Sequence, residues 1–142
     1  MSTIASEITT TNVIPATAHR HPVLRATVVY GAAAAVATTA VAAAAHAAGV
    51  PFKIDGEMIP LGGFAQLTVL GAVIGGLIAA TLNRTTAHAR TWFVRIAVLL
   101  TAVSCLPSLA WPPDVATKLT LVAAHLVAAA VVVPALARQL RD

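Results

Sequence analysis

Four long apolar stretches dominate the sequence and restrict its fold more than any other feature. They run over residues 23–48, 61–82, 91–110 and 115–137. Each is close to the roughly 20 residues that a helix needs to cross a bilayer. Only 10% of the residues are charged, whereas a soluble domain carries about 25%. The sequence therefore predicts an all-α membrane protein with four transmembrane helices, and a chain of 142 residues allows one domain.

The first apolar stretch is rich in alanine and is the least lipophilic of the four. Ala45-His46-Ala47 fits a small-x-small cleavage pattern. The run is nevertheless longer than the apolar core of about 7–15 residues in a signal peptide, so we interpret it as an uncleaved helix. Residues 1–22 are polar and rich in Ser and Thr, which predicts a flexible cytoplasmic tail. Residues 23–142 then form the transmembrane domain.

The basic residues predict the orientation of the helices. Only Lys53 and Lys118 of the nine fall on one side of the predicted bilayer. The seven on the other side are Arg20, Arg25, Arg84, Arg90, Arg95, Arg138 and Arg141. Because cytoplasmic loops are enriched in basic residues, we expect both termini in the cytoplasm, an N-in/C-in topology in the plasma membrane.

The connections between the apolar stretches are short. Residues 83–90 and 111–114 leave little chain between consecutive helices, which predicts an up-down antiparallel four-helix bundle. Asp114 is placed to cap the fourth helix. The first extracytoplasmic loop, residues 49–60, alternates apolar and charged residues around Asp55-Gly56, flanked by Lys53 and Glu57. This pattern predicts a small β-hairpin, with a simple amphipathic loop as the alternative.

The apolar stretches carry few groups for chemistry. No Asp, Glu or Lys lies near the middle of any of them, which argues against ion-coupled transport and acid–base catalysis in the bilayer. Cys105 is the single cysteine, so exchange between paired thiols is excluded. No nucleophile motif, phosphate loop or metal-spaced cluster occurs. We therefore predict no enzyme activity, no catalytic residue and no metal.

Two histidines remain to be explained. His125 lies near mid-depth of the fourth helix. It is either a proton or ligand site, or a structural imidazole that hydrogen-bonds across helices to Ser104 or Thr101. His46 lies near the outer end of the first helix, about 10 Å from the depth of His125. This mismatch argues against bis-histidine haem, and we predict no cofactor.

Small residues recur at helical spacing in two of the stretches. They are Thr68, Gly71, Gly75 and Ala79 in the second helix, and Gly31, Ala35 and Thr38 in the first. Such stripes permit close helix packing, within one bundle or against another chain. The first helix is small all the way round, and one bundle can bury only part of its surface. It is therefore a candidate contact for a partner protein.

Several short segments carry a resemblance to a known family. They are Ala48-Gly49-Val50-Pro51-Phe52, Asp55-Gly56-Glu57, Ile59-Pro60-Leu61-Gly62-Gly63-Phe64, Ala123-Ala124-His125-Leu126-Val127-Ala128 and Val133-Pro134-Ala135-Leu136-Ala137-Arg138. Over about residues 23–141 the chain resembles a family of small four-helix actinobacterial membrane proteins with a domain of unknown function. The resemblance implies the same topology and an actinobacterial plasma membrane, and it assigns no catalytic residue.

Two functions are compatible with these patterns. The first is a non-catalytic accessory subunit that packs against a larger envelope membrane complex, such as a mammalian-cell-entry-type lipid importer or a respiratory assembly. The alternative is a four-helix binder or carrier of an apolar molecule or lipid that acts as a homo-oligomer, with His125 beneath a hairpin lid. Membrane lipids are expected partners. Nucleic acid is not, because a net charge of +4 spread along an apolar chain forms no basic footprint.

Overall fold

Four helices and one pair of short strands make up the part of the chain that the structure describes. The computed structural model describes residues 22–54, 57–112 and 114–142. The elements are α1 (Pro22–Ala47), β1 (Lys53–Ile54), β2 (Glu57–Met58), α2 (Leu61–Thr85), α3 (Ala89–Ala110) and α4 (Val115–Ala137). Each helix is long and apolar enough to cross a membrane. The predicted all-helical chain with four helices of spanning length is confirmed.

The helix bounds differ from the predicted ones mainly around the second connection. α2 continues from Leu82 to Thr85, and α3 begins at Ala89 instead of Thr91. The hydropathy of a sequence marks the apolar part of a spanning helix, whereas polar residues can continue the helix beyond it. The connection between α2 and α3 is therefore only residues 86–88.

Neighbouring helices run antiparallel. Gly31 of α1 lies beside Ala72 of α2, and Thr38 of α1 lies beside Thr68 of α2. The residue numbers rise along α1 as they fall along α2, so the two helices run in opposite directions. The start of α3 hydrogen-bonds to the chain just beyond α4. α1 packs mainly on α2 and α4, and α3 packs mainly on α4. Short connections between long helices produce this arrangement.

The two ends of the bundle differ in charge. The end with the α2–α3 connection, here called the basic end, holds Arg25, Arg84, Arg90, Arg138 and Arg141. The opposite end, here called the loop end, holds the strand pair and the α3–α4 connection, with Lys53, Glu57, Asp114 and Lys118. The antiparallel helices thus collect most of the basic residues at one end of the folded protein.

Among the described residues, large apolar side chains are buried only toward the two ends of the bundle. Phe93 and Leu136 belong to a cluster near the basic end, and Phe52 and Phe64 to a second cluster near the loop end. Between these clusters the helix contacts consist mostly of alanine, glycine and threonine. The helices are therefore held by close backbone approach, as is common for helices in lipid.

Asp114 caps α4, as the sequence predicts. The backbone N–H of Thr117 donates to the Asp114 carboxylate at 2.7 Å, and the Thr117 hydroxyl donates to the same oxygen at 2.9 Å. These hydrogen bonds, the backbone one foremost, lower the pKa of Asp114 because they stabilise the ionised carboxylate.

The two strands lie in the loop between α1 and α2. They pair antiparallel, with Lys53 opposite Met58 and Ile54 opposite Glu57. The Asp55-Gly56 turn of the predicted hairpin lies outside the described residues. So does the predicted tail, apart from Pro22, which begins α1.

Candidate functional site

α1 and α2 approach so closely that two glycines have no room for a side chain. A Cβ at Gly31 would lie 2.9 Å from the Cβ of Ala72, and a Cβ at Gly76 would lie 2.8 Å from the Cγ2 of Thr27. Thr27 is held in place because it is β-branched and because its hydroxyl donates to the Val23 carbonyl at 2.8 Å. Both positions of the contact therefore require glycine.

The small residues predicted as a stripe on α2 do not all face the same neighbour. Gly71 is exposed, and no atom lies within 4 Å of a Cβ placed there. A Cβ at Gly75 would meet Leu136 of α4 at 3.7 Å, so Gly75 faces α4. Ala72 and Gly76 are the small residues that meet Gly31 and Thr27 of α1. Successive helical residues are turned by about 100°, so the spacing predicts the period of a stripe but not the neighbour that it faces.

The remaining small residues predicted for this interface lie at the α1–α2 contact or next to it. Ala35 and Ala79 are buried. The Thr38 and Thr68 hydroxyl oxygens are 2.9 Å apart across the two helices, and Thr68 also donates to the Phe64 carbonyl at 2.7 Å. A hydrogen bond between helices in a membrane contributes about 0.6 kcal/mol on average, so it supplements the packing of the small residues.

The predicted hydrogen bond between His125 and α3 is not formed. The His125 Nδ1 lies 2.7 Å from the Leu121 carbonyl oxygen of its own helix. Ser104 donates to the Thr101 carbonyl, and Thr101 donates to the Ala97 carbonyl, each at 2.8 Å. Each side chain uses a carbonyl one turn back, because such a carbonyl is always within reach in a helix. His125 is half-buried.

Phe52 attaches the loop after α1 to the bundle. Its side chain is 2% exposed, and its ring centroid lies 5.4 Å from that of Phe64 and 6.3 Å from that of His46. Its φ of 44° lies in the left-handed region, which costs a residue with a side chain roughly 1–2 kcal/mol. Burial of the ring offsets this cost. The predicted loop residues Lys53 and Glu57 are exposed, whereas the anchoring role of Phe52 has no signal in the local sequence pattern.

An apolar groove runs between α3 and α4. It has a volume of about 460 Å³. Its lining residues are Val98, Thr101, Ala102, Cys105, Leu126, Ala129, Ala130, Val133 and Pro134. His125 does not line it, so the structure separates the predicted histidine from this cavity. No described residue of the strand pair lines it, and Phe52, next to the strands, belongs to a separate cluster with Ala42, Phe64 and Ala124.

A second cavity of about 390 Å³, called the polar cavity below because charged side chains contribute to its lining, lies at the basic end of α3. It is lined by Arg90, Thr91, Val94, Arg95 and Asp142. Arg90 forms an ion pair of 3.2 Å with Asp142, and both side chains are more than half exposed. The Arg95 guanidinium lies 5.6 Å from the ring centroid of Trp92, in the range of a cation–π contact.

Leu24, Val28, Val29 and Tyr30 are exposed in the first turns of α1, and beyond them the outward surface of the helix consists mostly of alanine. It lies opposite the buried residues of α1 and is called the alanine face below. Its members, all exposed, are Ala33, Val36, Ala40, Ala43, Ala44 and Ala47. Apart from the adjacent Ala43 and Ala44, they recur every three or four residues and so form one stripe along the helix. Only part of the small-residue surface of α1 is therefore covered by α2 and α4.

A family model described as "Family of unknown function (DUF6069)" matches residues 18–142. The chain belongs to this family. The DUF6069 match includes all four helices and the strand pair, so the surfaces described above belong to one family domain. The resemblance to a family of unknown function is thereby confirmed, while an actinobacterial origin stays a prediction. No curated protein and no solved structure matches this DUF6069 chain.

Proposed function

We propose that this DUF6069 protein is a non-catalytic integral membrane accessory subunit that packs against a larger envelope membrane complex. The observation that carries the proposal is the exposure of the alanine face of α1. Helices in lipid associate through close van der Waals packing, which small side chains permit. In this proposal, a helix of the host complex covers the alanine face.

The other outward surfaces differ from the alanine face. α2 exposes Leu67, Leu70 and Leu77, and α3 exposes Leu99 and Leu106. At the centre of a helix, such residues favour insertion by about 0.3–0.6 kcal/mol each. An alanine offers one methyl group to the lipid and thus less apolar surface. The alanine face therefore gains less from lipid contact than α2 and α3 do, and it suits a closely packed helix.

The proposed absence of catalysis is supported by the side chains of the helices. None of the four helices contains Asp or Glu. Arg95 and Lys118 lie within two turns of helix ends. Among the deeper groups, His125 is bonded to its own helix, and Cys105 lies on the neighbouring helix among apolar groove residues. Such an arrangement offers no pair for general acid–base chemistry.

The proposal includes the location of the protein and its host. Because most basic residues are at one end, we place the basic end in the cytoplasm, with both termini there, in the plasma membrane. The first candidate host is a lipid importer of the mammalian-cell-entry type, and the second is a respiratory assembly. A reporter fused after residue 142 tests the orientation, since fluorescence of a cytoplasm-dependent reporter is expected there.

Purification of the tagged full chain from the cells that make it tests the proposal. In mild detergent, we expect a fixed set of larger membrane proteins in stoichiometric amounts by mass spectrometry. Ala40→Phe on the alanine face should remove that set. Val103→Phe, at an exposed position of α3, is the matched control and should retain it. Recovery of the bare chain, or equal behaviour of the two variants, contradicts the proposal.

The groove between α3 and α4 supports a second candidate, a homo-oligomeric binder or carrier of an apolar molecule. The groove is lined mainly by apolar side chains, and the Thr101 hydroxyl is already bonded to the Ala97 carbonyl. Recovery of a bare oligomer that retains an apolar molecule would favour this candidate over the accessory role.

A further inference from the structure

The apolar groove and the polar cavity lie along one face of α3. Thr91, Val94 and Arg95 line the polar cavity, and Val98 and Cys105 line the apolar groove. Apart from the adjacent Val94 and Arg95, consecutive members lie three or seven positions apart, so they share one side of the helix. Val98 is less than one turn beyond Arg95. The two cavities therefore follow each other directly, polar at the basic end and apolar toward mid-helix.

The length of this face corresponds to half of a bilayer. From Val94 to Cys105 the helix rises about 16 Å, which is about half of the ~30 Å hydrocarbon thickness. On α3 the groove begins at Val98, within one turn of Arg95, and ends at Cys105, within two turns of the loop end of the helix. From Arg95 to Cys105 the helix rises about 15 Å, a distance that an acyl chain of one leaflet can span.

The charge of the polar cavity suits a phosphate group. Arg90 and Arg95 present two guanidinium groups, which bind phosphate oxygens with bidentate hydrogen bonds. The Arg90–Asp142 pair is exposed and hence contributes little energy, so a phosphate can displace it. Trp92, beside Arg95, is half exposed at the level where aromatic residues meet lipid headgroups.

We propose that the two cavities form one binding site for an anionic phospholipid of the membrane. The phosphate lies between Arg90 and Arg95, and one acyl chain fills the groove between α3 and α4. Basic pockets between transmembrane helices are known to select anionic headgroups. The inference deepens the second candidate function because it uses the same groove, but it is independent of the alanine face and needs no partner protein.

The test uses the purified full chain in detergent with equal amounts of phosphatidylglycerol and phosphatidylcholine of matched acyl chains. Native mass spectrometry counts the lipids retained. The wild type should prefer phosphatidylglycerol, and the preference should fall about fivefold for each of Arg90→Gln and Arg95→Gln. Asp142→Asn should strengthen the preference, since it removes the competing carboxylate. Arg84→Gln, an exposed arginine outside the cavity, is the control.

The groove is tested with a second matched pair. Ala130→Phe fills the groove and should abolish retention of both lipids. Ala116→Phe places the same side chain at an exposed position of α4 outside the groove and should retain them. Equal retention of both lipids by the wild type, or unchanged retention in Ala130→Phe, overturns the site. Lipid retention by a bare chain would support this site even where the accessory role fails, so the two failures are distinguishable.

Discussion

The hydroxyl oxygens of Thr38 and Thr68 lie 2.9 Å apart, across the contact between α1 and α2. Toward the basic end, the same contact becomes tighter at Gly31 and Gly76. Together these residues fix which side of α1 faces α2. Because this side of α1 packs against α2, the opposite side of α1, which carries the alanine face, is exposed.

Gly76→Ala should destabilise the bundle, because the new methyl group would collide with Thr27. Overpacking of this kind costs about 1–3 kcal/mol. Gly71→Ala, in open space on the same helix, should not destabilise the bundle, because alanine is favoured over glycine inside a helix by about 0.5–1 kcal/mol. Denaturant titration in mixed micelles, followed by circular dichroism, measures both. The double variant Thr27→Ala/Gly76→Ala should recover part of the loss, and equal stability of the two single variants would contradict the close contact.

The sequence predicts the helices well and their faces less well. Long apolar runs are sufficient to locate α1 to α4, because a bilayer sets the length of a spanning helix. The side of α2 that contacts α1 is harder to predict from the sequence. The residues at Gly71, Ala72, Gly75 and Gly76 are all small, so any of them can pack against a neighbouring helix. Only the positions of α1 and α4 decide that Gly76 faces α1 and Gly75 faces α4.

Phe52→Ala should detach the loop between α1 and α2 from the bundle. Truncation of a buried Phe costs about 3–5 kcal/mol, and loss of the edge-to-face contact with Phe64 is part of that cost. Limited proteolysis should cut the loop faster in this variant than in the wild type. Met58→Ala, at a position that is 65% exposed, serves as the control. Similar cleavage of both variants would argue against the anchoring role of Phe52.

Protonation of Asp114 should weaken the start of α4. Its pKa is lowered in the folded protein by the hydrogen bonds from Thr117, so the unfolded chain takes up the proton more readily than the folded one at low pH. The stabilisation is therefore complete above about pH 4 and is lost as the pH falls through the folded pKa. Thermal unfolding as a function of pH measures this, and Asp114→Asn should remove that part of the dependence. A wild type and variant with parallel profiles would contradict the assignment.

His125→Ala should leave lipid retention unchanged, since His125 does not line the groove and is bonded to Leu121 of its own helix. Native mass spectrometry with phosphatidylglycerol checks this, with Ala130→Phe as the variant that should lose the lipid. Loss of lipid in His125→Ala at unchanged stability would restore the histidine to the binding site.

The candidate sites were partly visible in the sequence. Arg90 and Arg95 stand out as charges beside an apolar stretch, and the alanine content of α1 is evident. The groove is not visible, because it depends on how Ala102 of α3 faces Ala129 and Ala130 of α4. The role of Phe52 depends on a long-range contact with Phe64, which no local pattern predicts.

Site-specific photocrosslinking in living cells tests the accessory role most directly. A photoreactive residue at Ala40, on the alanine face, is compared with one at Leu99, which is 63% exposed on α3. We expect a discrete adduct with one larger membrane protein at Ala40 and none at Leu99. Adducts at Ala40 only with a second copy of the chain or with lipid, or the same protein adduct from both positions, would contradict it.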